Sequence, residues 1–595
     1  MRAFLNHGIS TALVLGLTAL IGCQSSTTQP MVLRPEGVPA SDGLAIERPE
    51  PIVVDAQSGF KAWSAPMEII DTRIFEPQIQ VAGPWDGPID LVKNHLPKHH
   101  RDKTLPDLDT PPAVEIGGTE RISRVTLGTS FEGISQTGWA PPDPTLAVGP
   151  NHIVETVNQS ISWYNKNGGL QFSSQLGSPG NPGFFESEGA RNFTFDPKCL
   201  YDHYAQRFVV LALEVYDDNT AYIDIAISDD DDPNGIWYKY RTWSVIGIDD
   251  STFWVDYPGL GFDENAIYVT GNLFGLTGPD GWGGALFRVF DKSSILNGGA
   301  ARILDVVPDS GASVQVAQGH GESPRCFFMS RSADTAVKLW TINDPLGSPN
   351  LQHLIIGGLA DSNSPSSDAP TLGGGELDTL DGRLMNVHLR DGHVYTSHGV
   401  SDNSGAVISR WYHIDTRGWP DSGSNPILVQ QGEVRGEPGE YTFFPAIASD
   451  RFNNIAMVMA RSSASQYASV IASARSQSDP LGIMSEPVEM AIGNWGYNGR
   501  WGDYFDSAVD PVDDETIWFV GQVARSYGWQ TMISSMWIGY QCPADLNSDG
   551  SLDFFDVALF LSLFAEDDPA VDFNGDGEFD FFDVVEFLAN YQGGC

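Results

Sequence analysis

A loose internal repeat limits the fold of this chain more than any other feature. Asp143-Pro-Thr-Leu-Ala-Val, Asp196-Pro-Lys-Cys-Leu-Tyr, Asp256-Tyr-Pro-Gly-Leu-Gly-Phe, Phe444-Pro-Ala-Ile-Ala and Asp503-Tyr-Phe-Asp-Ser-Ala-Val share one plan. A short apolar strand is followed by an Asp/Asn turn and then by a second apolar strand. Weaker copies near Arg325 and Leu384 bring the count to seven units, each on the order of 60 residues.

Between the copies, strand-length runs such as Phe208-Val-Val-Leu-Ala-Leu-Glu214, Ala266-Ile-Tyr-Val-Thr270 and Ile455-Ala-Met-Val-Met459 recur, and helical periodicity is nearly absent. The period suits four-stranded units, so residues 113–540 read as mainly β, a β-propeller of roughly six or seven blades. Ser228-Asp-Asp-Asp-Asp-Pro-Asn-Gly235, Asn343-Asp-Pro-Leu-Gly347 and Ser478-Asp-Pro-Leu-Gly482 supply turn chemistry between runs: proline presets φ and glycine accepts φ > 0. These turns loosely resemble the Asp-box turns of sialidase-like propellers, without the full Ser-x-Asp-x-Gly order. Trp139-Ala-Pro-Pro-Asp-Pro-Thr-Leu-Ala-Val-Gly-Pro-Asn-His152 and Arg500-Trp-Gly-Asp-Tyr-Phe-Asp-Ser-Ala-Val-Asp-Pro511 are similar to stretches of large secreted bacterial proteins that are expected to be propellers. That resemblance implies a fold and no catalytic residue.

At 595 residues the chain is too long for one ordinary core. Its 33 Lys plus Arg against 77 Asp plus Glu leave a net charge of −44, which disfavours nucleic acid and anionic lipid surfaces as partners. The amino terminus has one early arginine, Arg2, an apolar run from Ile9 to Leu20, and then Leu20-Ile21-Gly22-Cys23. The run is too short to span a bilayer and reads as a secretory signal over 1–23. Leu-Ile-Gly-Cys resembles the lipobox of bacterial lipoproteins, which implies lipid on Cys23, attachment to a membrane through it, and an exported chain. Residues 24–112 are rich in proline and short polar runs and read as a tether with one or two strands, the stretch Met67-Glu-Ile-Ile70 being one candidate.

The last segment, 541–595, states its chemistry most directly. One acidic pattern occurs twice: Asp545, Asn547, Asp549, Ser551, Asp553 and Asp556, then Asp572, Asn574, Asp576, Glu578, Asp580 and Asp583. Oxygen donors stand at loop positions one, three, five, nine and twelve, a glycine (Gly550, Gly577) takes position six, and Ser551 and Glu578 at position seven can offer their carbonyls. Two calcium ions are the expected cofactors. Apolar runs from Val557 and Val584 follow each loop as helices, while Ala565 to Val571 leaves little room for a helix ahead of the second loop. Half EF-hands of this kind with Asp at position twelve resemble type I dockerins, and the terminal Gly594-Cys595 resembles a variant that ends bacterial surface proteins. The resemblance implies a small all-α module and a cohesin-like or other surface docking partner. Phe554-Phe555 and Phe581-Phe582 depart from the small polar residues that dockerins carry there. Packing between the two half-hands and a partner-facing surface are both open for these pairs.

Cys542 and Cys595 bracket the acidic loops, and export permits a disulfide between them. Four cysteines after Cys23 allow three pairings, and Cys199 and Cys326 fit idle buried thiols.

No hydrolase elbow, zinc-protease helix motif or phosphate loop occurs, and no catalytic residue is assigned from sequence. Asp143, Asp196, Glu214 and Tyr504 with Arg191, Arg410 and Arg500 are pieces a glycosidase would need, but paired carboxylates are recognised only by their separation in space. Trp139, Trp163, Trp254, Trp282, Trp411 and Trp501 suit either sugar stacking or the core. The sequence therefore supports an exported, surface-anchored binding or display protein with a docking tail. Its rival is a secreted carbohydrate-active enzyme, sialidase-like or another glycoside hydrolase, and a polysaccharide ligand fits either.

Overall fold

The computed structural model describes residues 49–55, 57–75, 89–90, 123–177, 183–185, 194–216, 218–322 and 325–540, and in the tail 544–547, 552–565, 568, 571–574 and 577–593. Cys23, Arg191, Cys542, Asp549, Ser551, Asp576 and Cys595 lie outside them. Among the described residues no helix is long and apolar enough to cross a membrane.

The described fold is mainly β. Seven antiparallel groups of four strands follow one another along the chain. Their first strands are Thr145–Val148, Phe195–Asp202, Ser251–Phe262, Gln315–His320, Val387–Arg390, Glu440–Ser449 and Asp506–Val509. Each first strand packs beside the first strand of the next group, and the seventh packs beside the first, so the seven inner strands form a ring. At the third to fifth sheets they also pair in parallel, Phe262 with Gln318 and Ala317–His320 with Val387–Arg390. The arrangement is propeller-like.

Strand composition explains these sheets. Arg207–Val215 reads Arg-Phe-Val-Val-Leu-Ala-Leu-Glu-Val and is buried on both faces over most of its length, as β-branched and aliphatic residues between two neighbouring sheets should be. Val209, Leu211 and Leu213 enter the core shared with the third sheet, while Phe208, Val210 and Ala212 face the first. Each buried Val, Leu or Phe among them contributes roughly 1.5–3 kcal/mol. Trp163, Trp254, Trp411 and Trp501 are buried core residues.

The seventh sheet takes its outermost strand from far upstream. Ser123–Ser135 pairs antiparallel with Gly528–Tyr540, Ser123 opposite Tyr540 and Phe131 opposite Ile533. This seam is clasped by Glu155 of the first sheet, whose Oε2 accepts from Ile134 N at 2.9 Å. Gly133 makes room for the clasp: a Cβ there would stand 2.5 Å from the Glu155 carboxylate.

One repeat copy sits differently from where the sequence places it, while the copy near Leu384 opens the fifth sheet. The fourth unit begins at Gln315 and the fifth at Val387, so the Arg325 copy marks a second strand. Within the expected tether, Phe60–Ala65 joins the outer edge of the third sheet and Glu68–Asp71 that of the second. The apolar run at Met67–Ile70 is thus part of the β structure. Cys199 and Cys326 are free and buried, and burial pushes the Cys199 thiol up to about 12.

In the tail, helices run over Phe554–Phe564 and Phe581–Gly593. Asp553 caps the first helix and Asp556 closes a capping box with it. The module's small core is built on Phe560 stacked on Phe587 at 4.0 Å, with Ala544 and Val571.

Candidate active site

Five inner strands share an unusual backbone, at or just before the strand start in three sheets and at a mid-strand bulge in Ser251–Phe262 and Glu440–Ser449. Asp143, Asp196, Tyr257, Ser313 and Phe444 have φ of 51°, 46°, 52°, 48° and 51°, the left-handed region that non-glycine residues rarely occupy. Four of the five precede a proline. Because the conformation recurs in five sheets, it belongs to the ring, and the chemistry depends on which side chain each sheet places there. The first two sheets place aspartates.

These two acids are knitted together. Asn158 Nδ2 donates to Asp143 Oδ2 at 2.8 Å, and Asn158 Oδ1 accepts from Asp196 N at 2.8 Å. Asp503 N donates to Asp143 Oδ1 at 2.6 Å, and Asp196 Oδ2 accepts from Tyr257 N at 3.1 Å. The Asp503 carboxylate is gripped by Arg500 Nη2 at 2.6 Å to each oxygen. Arg500 stands on the short strand Gly499–Arg500, which pairs in parallel with Gly375–Asp378 of the insertion between the fourth and fifth sheets. Two segments distant in sequence therefore fix the arginine.

Cations and rings alternate beside the acids. Arg383, held by Asp381 at 2.8 Å, lies 4.2 Å from the centre of the Tyr257 ring. Tyr257 meets Tyr504 edge-on at 5.9 Å, and Lys198 Nζ lies 3.0 Å from the centre of the Tyr504 ring. The Tyr504 hydroxyl donates to Pro197 O at 3.1 Å.

Burial governs the ionisation. It pushes the Asp143 carboxyl up to about 7, helped by the nearby Asp503 and opposed by Arg500. Burial, with Asp256 and Asp143 adding to it, raises Asp196 well above the carboxylate range. Asp506 is pushed up to about 7 by burial against the pull of Lys198, and Lys198 is lowered to about 8 by burial against the pull of Asp506. Asp143 is 1% exposed, while Asp503, Arg500 and Lys198 are partly accessible. The N-terminal side of the ring thus holds a carboxylic acid that burial pushes up to about 7 beside an arginine-bound carboxylate, the pair of roles that acid–base cleavage requires.

The sequence candidates divide accordingly. Asp143, Asp196, Tyr504 and Arg500 come together here. Glu214 does not: it holds Arg241 at 2.9 Å within the second sheet. Arg410 pairs with Glu433 at 3.1 Å in the fifth sheet. Asp503, Lys198, Asp506 and Asn158 belong to the site and are not singled out by the sequence. The repeat carries a signal for the first three, since each lies within three residues of a strand-opening Asp.

No protein-family model and no curated protein matches the chain. Solved structures do. A Trypanosoma rangeli sialidase in complex with sialic acid is 11% identical over 69% of this chain, which spans 60% of the sialidase, at a TM-score of 0.29. A Penicillium chrysogenum α-L-arabinanase is 8% identical over 71% of this chain and 99% of its own, at 0.32. The Ruminococcus gnavus intramolecular trans-sialidase is 9% identical over 54% and 90%, also at 0.32. Likenesses this distant carry no argument about chemistry, which rests on the residues themselves.

At the opposite, C-terminal ends of the inner strands three imidazoles are stacked: His203 on His320 at 5.0 Å and His320 on His388 at 4.5 Å. Burial lowers His203 to about 4 and holds His320 and His388 well below the usual imidazole range. His388 Nδ1 meets Ser449 Oγ at 3.0 Å, and Arg390 beside it is paired with Asp514 at 2.6 Å.

In the tail, Asp556 Oδ1 accepts from Asn547 N and Asp583 Oδ1 from Asn574 N, both at 3.3 Å. Oδ2 of the same carboxylates accepts from Asp553 N at 3.0 Å and Asp580 N at 2.8 Å. The two loops thus repeat one geometry, and Asp572 Oδ2 accepts from Gly577 N at 2.9 Å in the second. The all-oxygen donor set suits calcium. Among the described residues no group of three acidic, histidine or cysteine side chains is gathered closely enough to hold a metal, so the expectation of calcium rests on the loop pattern alone. Phe554, Phe555, Phe581 and Phe582 are 74%, 66%, 71% and 64% exposed. They do not pack between the half-hands.

Proposed function

We propose that the seven sheets are the blades of a β-propeller and that the chain is an exported carbohydrate-active hydrolase acting on glycosidic bonds. The observation that carries this reading is the buried Asp143, tied through Asn158 to Asp196, beside the Asp503–Arg500 ion pair. Asp143, held protonated until near neutral pH, donates the proton to the leaving oxygen. Asp503, held in an ion pair by Arg500, is the second carboxylate that the reaction needs. Lipid on Cys23 tethers the protein to a membrane, and the dockerin-like segment 541–595, shaped by two calcium ions, docks it to a cohesin-like or other surface component. Cys542 and Cys595 close that segment as a disulfide.

A panel of polysaccharides and aryl glycosides tests the first part. The wild type is expected to release sugar from at least one member, and Asp143→Asn and Asp503→Asn to release it at least about 100-fold more slowly. Chelation of calcium from the full chain is expected to remove one calorimetric transition and leave the larger one in place; an unchanged thermogram would defeat the calcium reading. Cys23→Ser is expected to move the protein from the membrane to the soluble fraction.

A second reading, a binding or display protein without catalysis, is favoured by the burial of Asp143 and Tyr504, which also suits a sealed ring. Retention on a glycan array with no sugar released by the wild type would select it.

A further inference from the structure

One side chain links the two aspartates, and its role can be read from hydrogen bonds alone. Asn158 follows the strand His152–Val157 and is fully buried. Its Nδ2 donates to Asp143 Oδ2 at 2.8 Å and to Pro141 O at 2.8 Å; its Oδ1 accepts from Asp196 N at 2.8 Å. Its own N–H donates to Pro142 O at 2.7 Å. Both amide hydrogens are used, and the orientation is not interchangeable. Pro141 O can only accept and Asp196 N can only donate, so a flipped amide would set acceptor against acceptor and donor against donor.

The geometry gives this residue a purpose beyond joining two sheets. Asp143 and Asp196 open the first strands of adjacent sheets, and both stand in the left-handed conformation. A rigid amide that bonds the carboxylate of one and the backbone of the other ties the direction of the first acid to the position of the second. Resting on the hydrolase reading, we propose that Asn158 is the positioning residue of the general acid: it sets where the Asp143 carboxyl points relative to Asp503, using the Asp196 backbone as its anchor. Its donated hydrogen bond also favours the ionised form of Asp143. Loss of that bond moves the acid toward a higher pH of titration.

Asn158→Asp tests the proposal, because it keeps an acceptor for Asp196 N and replaces the donor to Asp143. With the best glycoside of the panel, kcat is expected to fall about 100-fold at an unchanged KM, the cost of a misaligned reacting group. The alkaline limb of the pH profile, where the general acid loses its proton, is expected to move up by about one unit. A fall in melting temperature with kcat unchanged and the limb in place would overturn the proposal and leave Asn158 as a structural link. Should Asn158→Asp not fold, Asn158→Ser is read the same way. If the wild type cleaves nothing, the hydrolase reading fails by itself, and positioning is then decided by crystal structures of wild type and variant. A changed separation of the Asp143 and Asp503 carboxyls supports it, and an unchanged one overturns it.

Discussion

The two ends of the inner strands bury ionisable groups in the same ring and with opposite results. At the N-terminal end burial raises acids: Asp143 and Asp506 to about 7, Asp196 further. At the C-terminal end burial lowers imidazoles: His203 to about 4, His320 and His388 further. One physical cause, the cost of a charge out of water, leaves one end able to exchange a proton near neutrality and the other neutral down to strongly acidic conditions. On the proposed hydrolase reading the proton transfer therefore falls to the acidic end, and the imidazole stack takes no part in it.

The sharpest way to break this contrast is to compare turnover after a change at each end. Asp143→Asn is expected to lower kcat by about 10²–10⁴-fold, the span general acid catalysis supplies, and His388→Phe to leave it unaltered. Equal losses from both would end the distinction. Stability against pH gives the next largest effect. A lowered histidine is bound by protons in the unfolded chain first, so His203 withdraws stability as pH falls from about 6.5 to about 4, up to about 3 kcal/mol. Guanidinium unfolding of His203→Gln should show that acid-side loss reduced, with no difference at pH 8.

The acids have the reverse sign. Glu155, pushed by burial up to about 7, holds its proton longer when folded, and so withdraws stability as pH rises from about 4.5 to about 7. Glu155→Gln should gain up to about 3 kcal/mol at pH 8 relative to pH 4, and a flat difference would show that the seam clasp is ionised throughout. Smallest of all, alanine at Phe554, Phe555, Phe581 and Phe582 should change unfolding free energy by less than about 0.5 kcal/mol per site. A larger loss would return those rings to the module's core.

How much the sequence discloses depends on the range of the interactions. The strand-opening Asp-Pro pairs are local signals, so Asp143 and Asp196 are visible, and so is the all-β character. The seam is not: Thr129 N reaches Ser535 Oγ across 406 positions, and Ser123–Ser135 carries no repeat pattern of its own. The site is invisible for a related reason. Arg500 reaches it through pairing with Gly375–Asp378, and Asn158 is one of many turn asparagines until its two partners are placed. His203, His320 and His388 lie at no common spacing, because the stack is made by three neighbouring strands of unequal loop length. The Phe-Phe pairs are ambiguous because a two-residue motif does not reveal which face of a helix start is covered.

The stitching of Phe60–Ala65 and Glu68–Asp71 to the third and second sheets bears on mechanics. If the protein is held at Cys23 and pulled through 541–595, tension would reach Ser123 and Tyr540, which face each other at one end of the seam. Load applied there would open the ring bond by bond, the weakest direction for an antiparallel pair. The upstream strands intercept it: force from the amino-terminal side enters at Phe60–Ala65, opposite Ala301–Val306, and spreads into a sheet remote in sequence from the seam. Under such a pull the amino-terminal side of the seam, at Ser123, would be relieved of load, while Tyr540 would still bear it.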